Sequence, residues 1–360
     1  MKKIIQELNP YVPEKPLQQL QDELGLKKIV RLSANENPYG TSPKVKRAIL
    51  DWDYDLSNRY PDSSAQELRD LVAEKFTLDP SQIVFGVGLD EVIVMLSRVF
   101  LQPGDEELVS VPNFSEYALH AEIEEAVIKE VATKKNGQIN FTALLENITD
   151  KTKLIWLCNP NNPTGTLETV ASIEKFVQQV PKETMVLVDE AYIDFVTEQE
   201  PATAMDLTKK YPNIVVMRTF SKAYGLANFR VGYAVFSNQI AGEVQKVRLP
   251  YNVSSIAQTA AIAAFKDQNF VDQVVAKNAL ERTKYEDFFQ KLDLKFYHSQ
   301  ANFVFFETAA AHELAQVLLE NGYLIRTGLR PNWLRLSIGT PKDNLKIQKI
   351  MADFFDSVLN

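Results

Sequence analysis

The residue types best suited to chemistry gather in Arg218-Thr219-Phe220-Ser221-Lys222-Ala223-Tyr224-Gly225-Leu226, with Arg230 shortly after. The apolar run Asn213-Ile214-Val215-Val216-Met217 precedes them and reads as a buried strand. A strand ending in Thr-x-Ser-Lys and turning through a glycine collects hydroxyls, an amine and a guanidinium at one rim. That rim suits a ligand bearing a phosphate, with an electrophilic carbon in reach of the lysine. Ser-Lys alone reads more simply as a surface lysine after a core strand, so the elements around it must decide.

Further apolar runs cover Ile83 to Val87, Glu107 to Pro112, Leu154 to Cys158, Met185 to Val188 and Arg230 to Phe236. Helical patterns lie between them, among them an amphipathic stretch at about 64–76 and another from Asp90 to Phe100. This alternation predicts a mostly parallel sheet covered on both faces. Ligands of such sheets lie beyond the carboxyl ends of the strands, so unusual polar residues should follow the runs.

They do. Gly86-Val87-Gly88-Leu89-Asp90-Glu91 ends a strand and opens a helix whose free amides suit an anion. A dinucleotide fingerprint would need a third glycine where Glu91 stands. Taken alone, glycines closing a strand explain this turn as well as a phosphate site does. Phe114 and Tyr117 are core, or one of them covers a planar ring. Asn159-Pro160-Asn161-Asn162-Pro163-Thr164-Gly165 is a tight turn on any reading, and an Asn amide there can donate to a phenolate oxygen. Asp189, at the end of an apolar run, needs a partner to be buried, and a pyridinium nitrogen is one. Lys222 follows it by about one helix-plus-strand unit, which places both on strands of one sheet. Together these pieces meet the needs of pyridoxal phosphate held by Lys222 as a Schiff base.

At 360 residues the chain divides naturally into one large α/β domain and a smaller one. A hydrophobic share of 45% with 24% charged residues belongs to a soluble globular protein. The net charge of −8 argues against a nucleic-acid surface. Cys158 is the only cysteine, so no intrachain disulfide forms, in keeping with a cytoplasmic protein and a small buried core residue. The charged start lacks a secretory apolar region, and no run reaches membrane-spanning length. His120, His298 and His312 are scattered without metal-ligand spacing, so no metal is expected.

Residues 1–40 are irregular, with Pro10, Pro13, Pro16 and Pro38 and a short helix stopped by Gly25. Within them Leu32 to Gly40 is a surface loop or a substrate-facing segment wrapping the main domain. Beyond about residue 250 the pattern becomes helices near 253–266 and 268–290, a strand at Phe303 to Phe306, a helix near 311–320, a strand at Leu334 to Ile338 and a last helix near 342–358. The expected division is an N-terminal arm over 1–40 packing on the small domain and a partner, a large cofactor-binding domain over 41–250, and a small α+β domain over 251–360.

These motifs resemble those of the fold type I pyridoxal-phosphate-dependent aminotransferases, most closely the histidinol-phosphate branch. The resemblance covers nearly the whole chain. It includes Tyr11-Val12-Pro13-Glu14-Lys15-Pro16, Ser33 to Gly40, Arg59-Tyr60-Pro61-Asp62, Gly88 to Glu91, Asn159 to Gly165, Val188 to Tyr192, Ser221 to Gly225 and Leu334 to Gly339. It implies an α/β fold with a mostly parallel seven-stranded sheet, a small C-terminal domain, and a homodimer with shared active sites. It also implies residue roles. Lys222 holds the cofactor and shuttles the proton, Asp189 pairs with the pyridine nitrogen, and Asn162 and Tyr192 contact the phenolic oxygen. Phe114 stacks on the ring. Leu89, Asp90, Thr219, Ser221 and Arg230 hold the phosphate, with Tyr60 reaching it from a second subunit. Asn35, Tyr251, Arg326 and Arg335 face the substrate.

The implied reaction moves an amino group from histidinol phosphate to 2-oxoglutarate, giving glutamate. Related sequences prefer phenylalanine or tyrosine, or decarboxylate threonine phosphate. A non-catalytic cofactor-binding regulatory module is the alternative of another class, but only about 40 residues precede the main domain, with no helix-turn-helix pattern. The chain departs from the family at Ala227-Asn228-Phe229-Arg230, where Ala-Gly-Leu-Arg is usual. Asn tolerates left-handed backbone, so the expectation is a preserved turn with local repacking and the phosphate contact kept. Phe114, where many relatives have Tyr, keeps stacking and loses a hydroxyl.

Overall fold

The chain folds as strands and helices in alternation, because its valine- and isoleucine-rich runs are buried on both faces while the intervening segments are amphipathic. The computed structural model describes residues 1, 3–8, 14–198 and 202–359. Pro10 and the Tyr11, Val12 and Pro13 part of the N-terminal motif lie outside the described residues.

In chain order the strands are β1 (Val30–Leu32), β2 (Ile83–Val87), β3 (Glu106–Val111), β4 (Val127–Ala132), β5 (Thr152–Cys158), β6 (Met185–Asp189), β7 (Ile214–Thr219) and β8 (Val231–Val235). They continue with β9 (Lys295–Phe296), β10 (Phe303–Glu307), β11 (Tyr323–Ile325) and β12 (Trp333–Ser337). A seven-stranded sheet has the order β2-β8-β7-β6-β5-β3-β4. It is parallel except at β8, which runs antiparallel to both β2 and β7.

Successive residues of a strand face opposite ways, and the core divides accordingly. Ile214 and Val216 of β7 enter one apolar cluster, with Leu68 and Val72 of the helix Gln66–Phe76. Val215 and Met217 enter the other, with Val92, Ile93 and Leu96 of the helix Gly88–Phe100. The helix Ser255–Phe265 packs on Pro43–Leu50, and its buried alanines join the first cluster. The edge strand β4 is half exposed and carries Lys129 and Glu130, so its apolar signal is diluted.

A second core lies under the antiparallel sheet β12-β10-β9, between the helices Gln268–Lys291, Ala311–Glu320 and Pro341–Leu359. The N-terminal segment joins it: β1 pairs in parallel with β11, and Leu32 is buried in this cluster. The chain therefore crosses between the two sheets through residues 33–40, directly over the ends of β6 and β7.

Candidate active site

Asp189 is the last residue of β6 and is paired in register with Met217 of β7; Lys222 lies just past the end of β7. The parallel pairing thus brings the acid and the amine to the same sheet edge, as their spacing in the chain predicts. Asp189 is buried. Its Oδ2 accepts from Tyr117 Oη at 2.6 Å and its Oδ1 from the Ala191 amide at 2.9 Å. Burial pushes its carboxyl above the ordinary value, and these hydrogen bonds oppose the shift. The Lys222 amine is pushed down to about 8, first by burial and then by the Arg335 guanidinium. Its Nζ donates to the Ala34 carbonyl at 3.1 Å, so the crossing segment holds the amine in place.

A cavity of about 370 Å³ connects these groups with Tyr192, Asn162 and Phe114. Tyr192 Oη accepts from Asn35 Nδ2 at 3.0 Å, and burial raises its pKa to about 12. Asn162 Oδ1 accepts from Arg335 Nη1, leaving its amide nitrogen without a protein acceptor among the described residues. The same cavity reaches Thr219, Ser221 and Arg230. Thr219 Oγ1 donates to Ser221 Oγ at 3.0 Å, and Arg230 Nη1 approaches that oxygen at 3.5 Å. Gly88, at φ +72°, lies so close to the Arg230 guanidinium that a Cβ there would collide with it. This apposition brings the N-terminus of the helix Gly88–Phe100, with Leu89 and Asp90, to the hydroxyl and guanidinium cluster.

Asn228 does not adopt the left-handed backbone expected of it. It lies in the 3-10 turn Ala227–Phe229, a conformation open to any residue, and the left-handed position is Arg230 itself, at φ 55°. The turn survives because it never depended on a glycine at 228.

A wider cavity of about 600 Å³ opens beyond Lys222 and shares Ala34, Asp90, Phe114, Asn162 and Tyr192 with the first. Asn35 borders it, at φ 54°, anchored by its amide to Ser337 Oγ at 2.9 Å. Arg335 and Arg326 also line it, joined backbone to backbone by hydrogen bonds of 3.0 Å in both directions. Arg335 is buried and donates to the Ser33 carbonyl at 2.6 Å; Arg326 faces Glu14 at 3.7 Å. Tyr60 and Tyr251 line neither cavity. They stack on each other at 4.6 Å on the surface, 81% and 44% exposed.

Several groups at the site lie outside the set expected from the sequence. Tyr117 is the donor to Asp189, and its spacing from Phe114 matches one helical turn. Glu14, Glu116 and the carbonyls of Ser33 and Ala34 carry no comparable signal, since their roles come from how the crossing segment lies over the sheet.

The profile of the aminotransferase class I and II family matches residues 27–348. This chain therefore belongs to the class I and II aminotransferases, and it is a transaminase by fold and family. Within them it falls in the histidinol-phosphate aminotransferase branch. It is 60% identical over 354 residues to the histidinol-phosphate aminotransferase of Lactiplantibacillus plantarum, covering 98% of this chain and 99% of that one. It is 51% identical over 356 residues to that of Limosilactobacillus fermentum, with 98% and 99% covered. The crystal structure of histidinol-phosphate aminotransferase from Sinorhizobium meliloti in complex with pyridoxal-5'-phosphate superposes with a TM-score of 0.90 at 26% identity, covering 99% of this chain and 98% of that one.

The donor set fits pyridoxal phosphate. A buried carboxylate, an amine of lowered pKa, and a hydroxyl, guanidinium and helix-start cluster share one cavity with the ring of Phe114. The Asn162 amide nitrogen and Arg335 Nε add polar atoms without partners among the described residues.

Proposed function

We propose that this chain transfers the amino group of L-histidinol phosphate to 2-oxoglutarate, giving imidazole acetol phosphate and L-glutamate in histidine biosynthesis, with pyridoxal phosphate as cofactor. The observation that carries this reading is Lys222, with its pKa near 8, which lines both the cavity that holds Asp189 and the adjoining one that holds the two arginines. The names of the relatives at 60% and 51% identity support the choice of substrate.

When bound, pyridoxal phosphate supplies an electrophilic carbon and a ring that takes up the electrons released at the substrate carbon. Asp189, oriented by Tyr117 and the Ala191 amide, would pair with the ring nitrogen and, kept ionised by it, would hold that nitrogen protonated. Asn162 and Tyr192 would donate to the ring oxygen, and Phe114 would cover the ring. Thr219, Ser221, Arg230 and the amides of Leu89 and Asp90 would hold the phosphate. Lys222, with its pKa lowered to about 8, has a large neutral fraction near pH 8; with the cofactor bound, its amine would take the proton from the substrate carbon and pass it on to the cofactor carbon.

Arg335 and Arg326 serve both substrates in turn, holding the phosphate of one and a carboxylate of the other. In this reading the working unit is a homodimer, and Tyr60 and Tyr251, stacked and exposed on the surface, are the residues a second copy of the chain would receive. Among the described residues no helix is long and apolar enough to cross a membrane, and the enzyme acts in the cytoplasm. Supplied with histidinol phosphate and 2-oxoglutarate, the holoenzyme should form glutamate, and Lys222→Ala should abolish it. Near-normal turnover in that variant would refute the assignment.

A further inference from the structure

Most charges lining the wider cavity are answered within the protein. Arg31 is bound to Glu36, Arg326 faces Glu14 at 3.7 Å, and Asp90 holds Arg230 at 2.8 Å. Lys222 and Arg335 remain on the positive side. On the negative side one carboxylate is left, Glu116, at the start of the helix Glu116–Ile123 that follows β3. Among the described residues its one ionisable partner is His120, whose Nε2 is 3.7 Å away. Burial lowers the pKa of that imidazole, which weakens it as a counter-charge for the carboxylate.

The two unanswered poles belong to different walls. Arg335 projects from β12 of the small sheet, and Glu116 from the large-sheet side beside Phe114, which borders both cavities. A half-buried carboxylate without a cation is costly; desolvation and then the nearby Asp90 push the Glu116 carboxyl up, and the Ser115 hydrogen bond only partly opposes them. On the same loop, Asn113 has an amide nitrogen with no acceptor. The cavity thus calls for a substrate with an anion at one end and an N–H donor that can also accept at the other.

We propose that Glu116 is a specificity-determining residue, its carboxylate accepting the N–H of the substrate imidazole while the arginine wall holds the phosphate. This rests on the histidinol phosphate reading and deepens it. An imidazole presents N–H on one nitrogen, or on both when protonated, and offers a lone pair to Asn113 when neutral. A phenyl ring of similar size has only C–H at its edge and would leave Glu116 desolvated and unpaired. The loop after β3 would thereby set the choice between histidinol phosphate and the aromatic amino acids.

The test compares kcat/KM for histidinol phosphate and for phenylalanine in the holoenzyme and in Glu116→Gln, with 2-oxoglutarate as acceptor. The ratio of the two constants does not depend on the fraction of folded enzyme. Glu116→Gln should lower that ratio about 10- to 100-fold, mainly through KM for histidinol phosphate. Glu116→Leu should lower it at least as far by favouring phenylalanine. Equal losses on both substrates would mean a structural role and would overturn the proposal, as would an unchanged ratio. Wild-type enzyme inactive on histidinol phosphate would instead refute the substrate reading beneath it.

Discussion

Tyr117 Oη and Asp189 Oδ2 are joined by a hydrogen bond of 2.6 Å beneath the cofactor cavity. Tyr117 is itself fixed by stacking on Trp156, with centroids 4.1 Å apart and planes at 9°. The tyrosine comes from the helix after β3 and the acid from the end of β6, so two βα units meet at the group that must stay ionised. A buried carboxylate drifts toward neutrality unless donors hold its charge, and here the Tyr117 hydroxyl does most to hold it.

Tyr117→Phe removes that donor without emptying the core. The Asp189 carboxyl should move further above its ordinary range, and affinity for pyridoxal phosphate should fall about tenfold. Titration of the apo variant with the cofactor measures this. Unchanged affinity would mean that the hydroxyl does not help to keep the carboxylate charged.

The depressed Lys222 amine has a kinetic signature. Only the neutral amine attacks an aldehyde, so capture of pyridoxal phosphate by the apoenzyme should quicken as pH rises and level off above about 8. A rate still rising through pH 10 would mark an ordinary lysine, whose pKa is 10.5.

Gly225 closes the turn after Lys222 at φ +72°, and a Cβ there would strike the Gly40 carbonyl oxygen. Gly225→Ala should therefore cost about 2 kcal/mol or more, from backbone strain and from displacement of the crossing segment. Urea unfolding would show it, and a loss below about 0.5 kcal/mol would contradict the close approach.

His298 lies between Glu286 at 2.8 Å and Glu198 at 2.6 Å, and these carboxylates raise its pKa to about 9. A raised folded pKa means that the folded state binds the extra proton between about 6.5 and 9. The contribution is complete below about 6.5 and is lost as pH climbs through 9. The melting temperature of His298→Gln should fall short of wild type most clearly near pH 6, with the gap closing by about pH 10. Since the imidazole is 57% exposed, the effect should be modest and weakened by salt. A gap that does not vary with pH would contradict the charge pairing.

The central strands were legible because burial on both faces makes β5, β6 and β7 nearly unbroken apolar runs. The edge strand β4 was not, since one side of it faces solvent and mixes lysine and glutamate into the pattern. Short β1 and β11 were also hidden, because their pairing links residues about 290 apart and leaves no local trace. At the site, Asp189, Asn162, Tyr192 and Lys222 were visible as polar groups placed just after such runs, and the structure brings all of them to one cavity. The expected left-handed Asn228 failed because the turn is made one step later, at Arg230. Glu14 and Glu116 reach the cavity through tertiary placement: each is an ordinary acid in the sequence until the fold brings it to the cavity wall.

The most direct test of the account is a steady-state comparison of histidinol phosphate and phenylalanine as amino donors to 2-oxoglutarate, followed by glutamate release. With Arg326 and Arg335 facing one wall of the cavity and Glu116 on the other, kcat/KM should favour histidinol phosphate by about 100-fold or more. Phenylalanine turning over as fast, or faster, would contradict it.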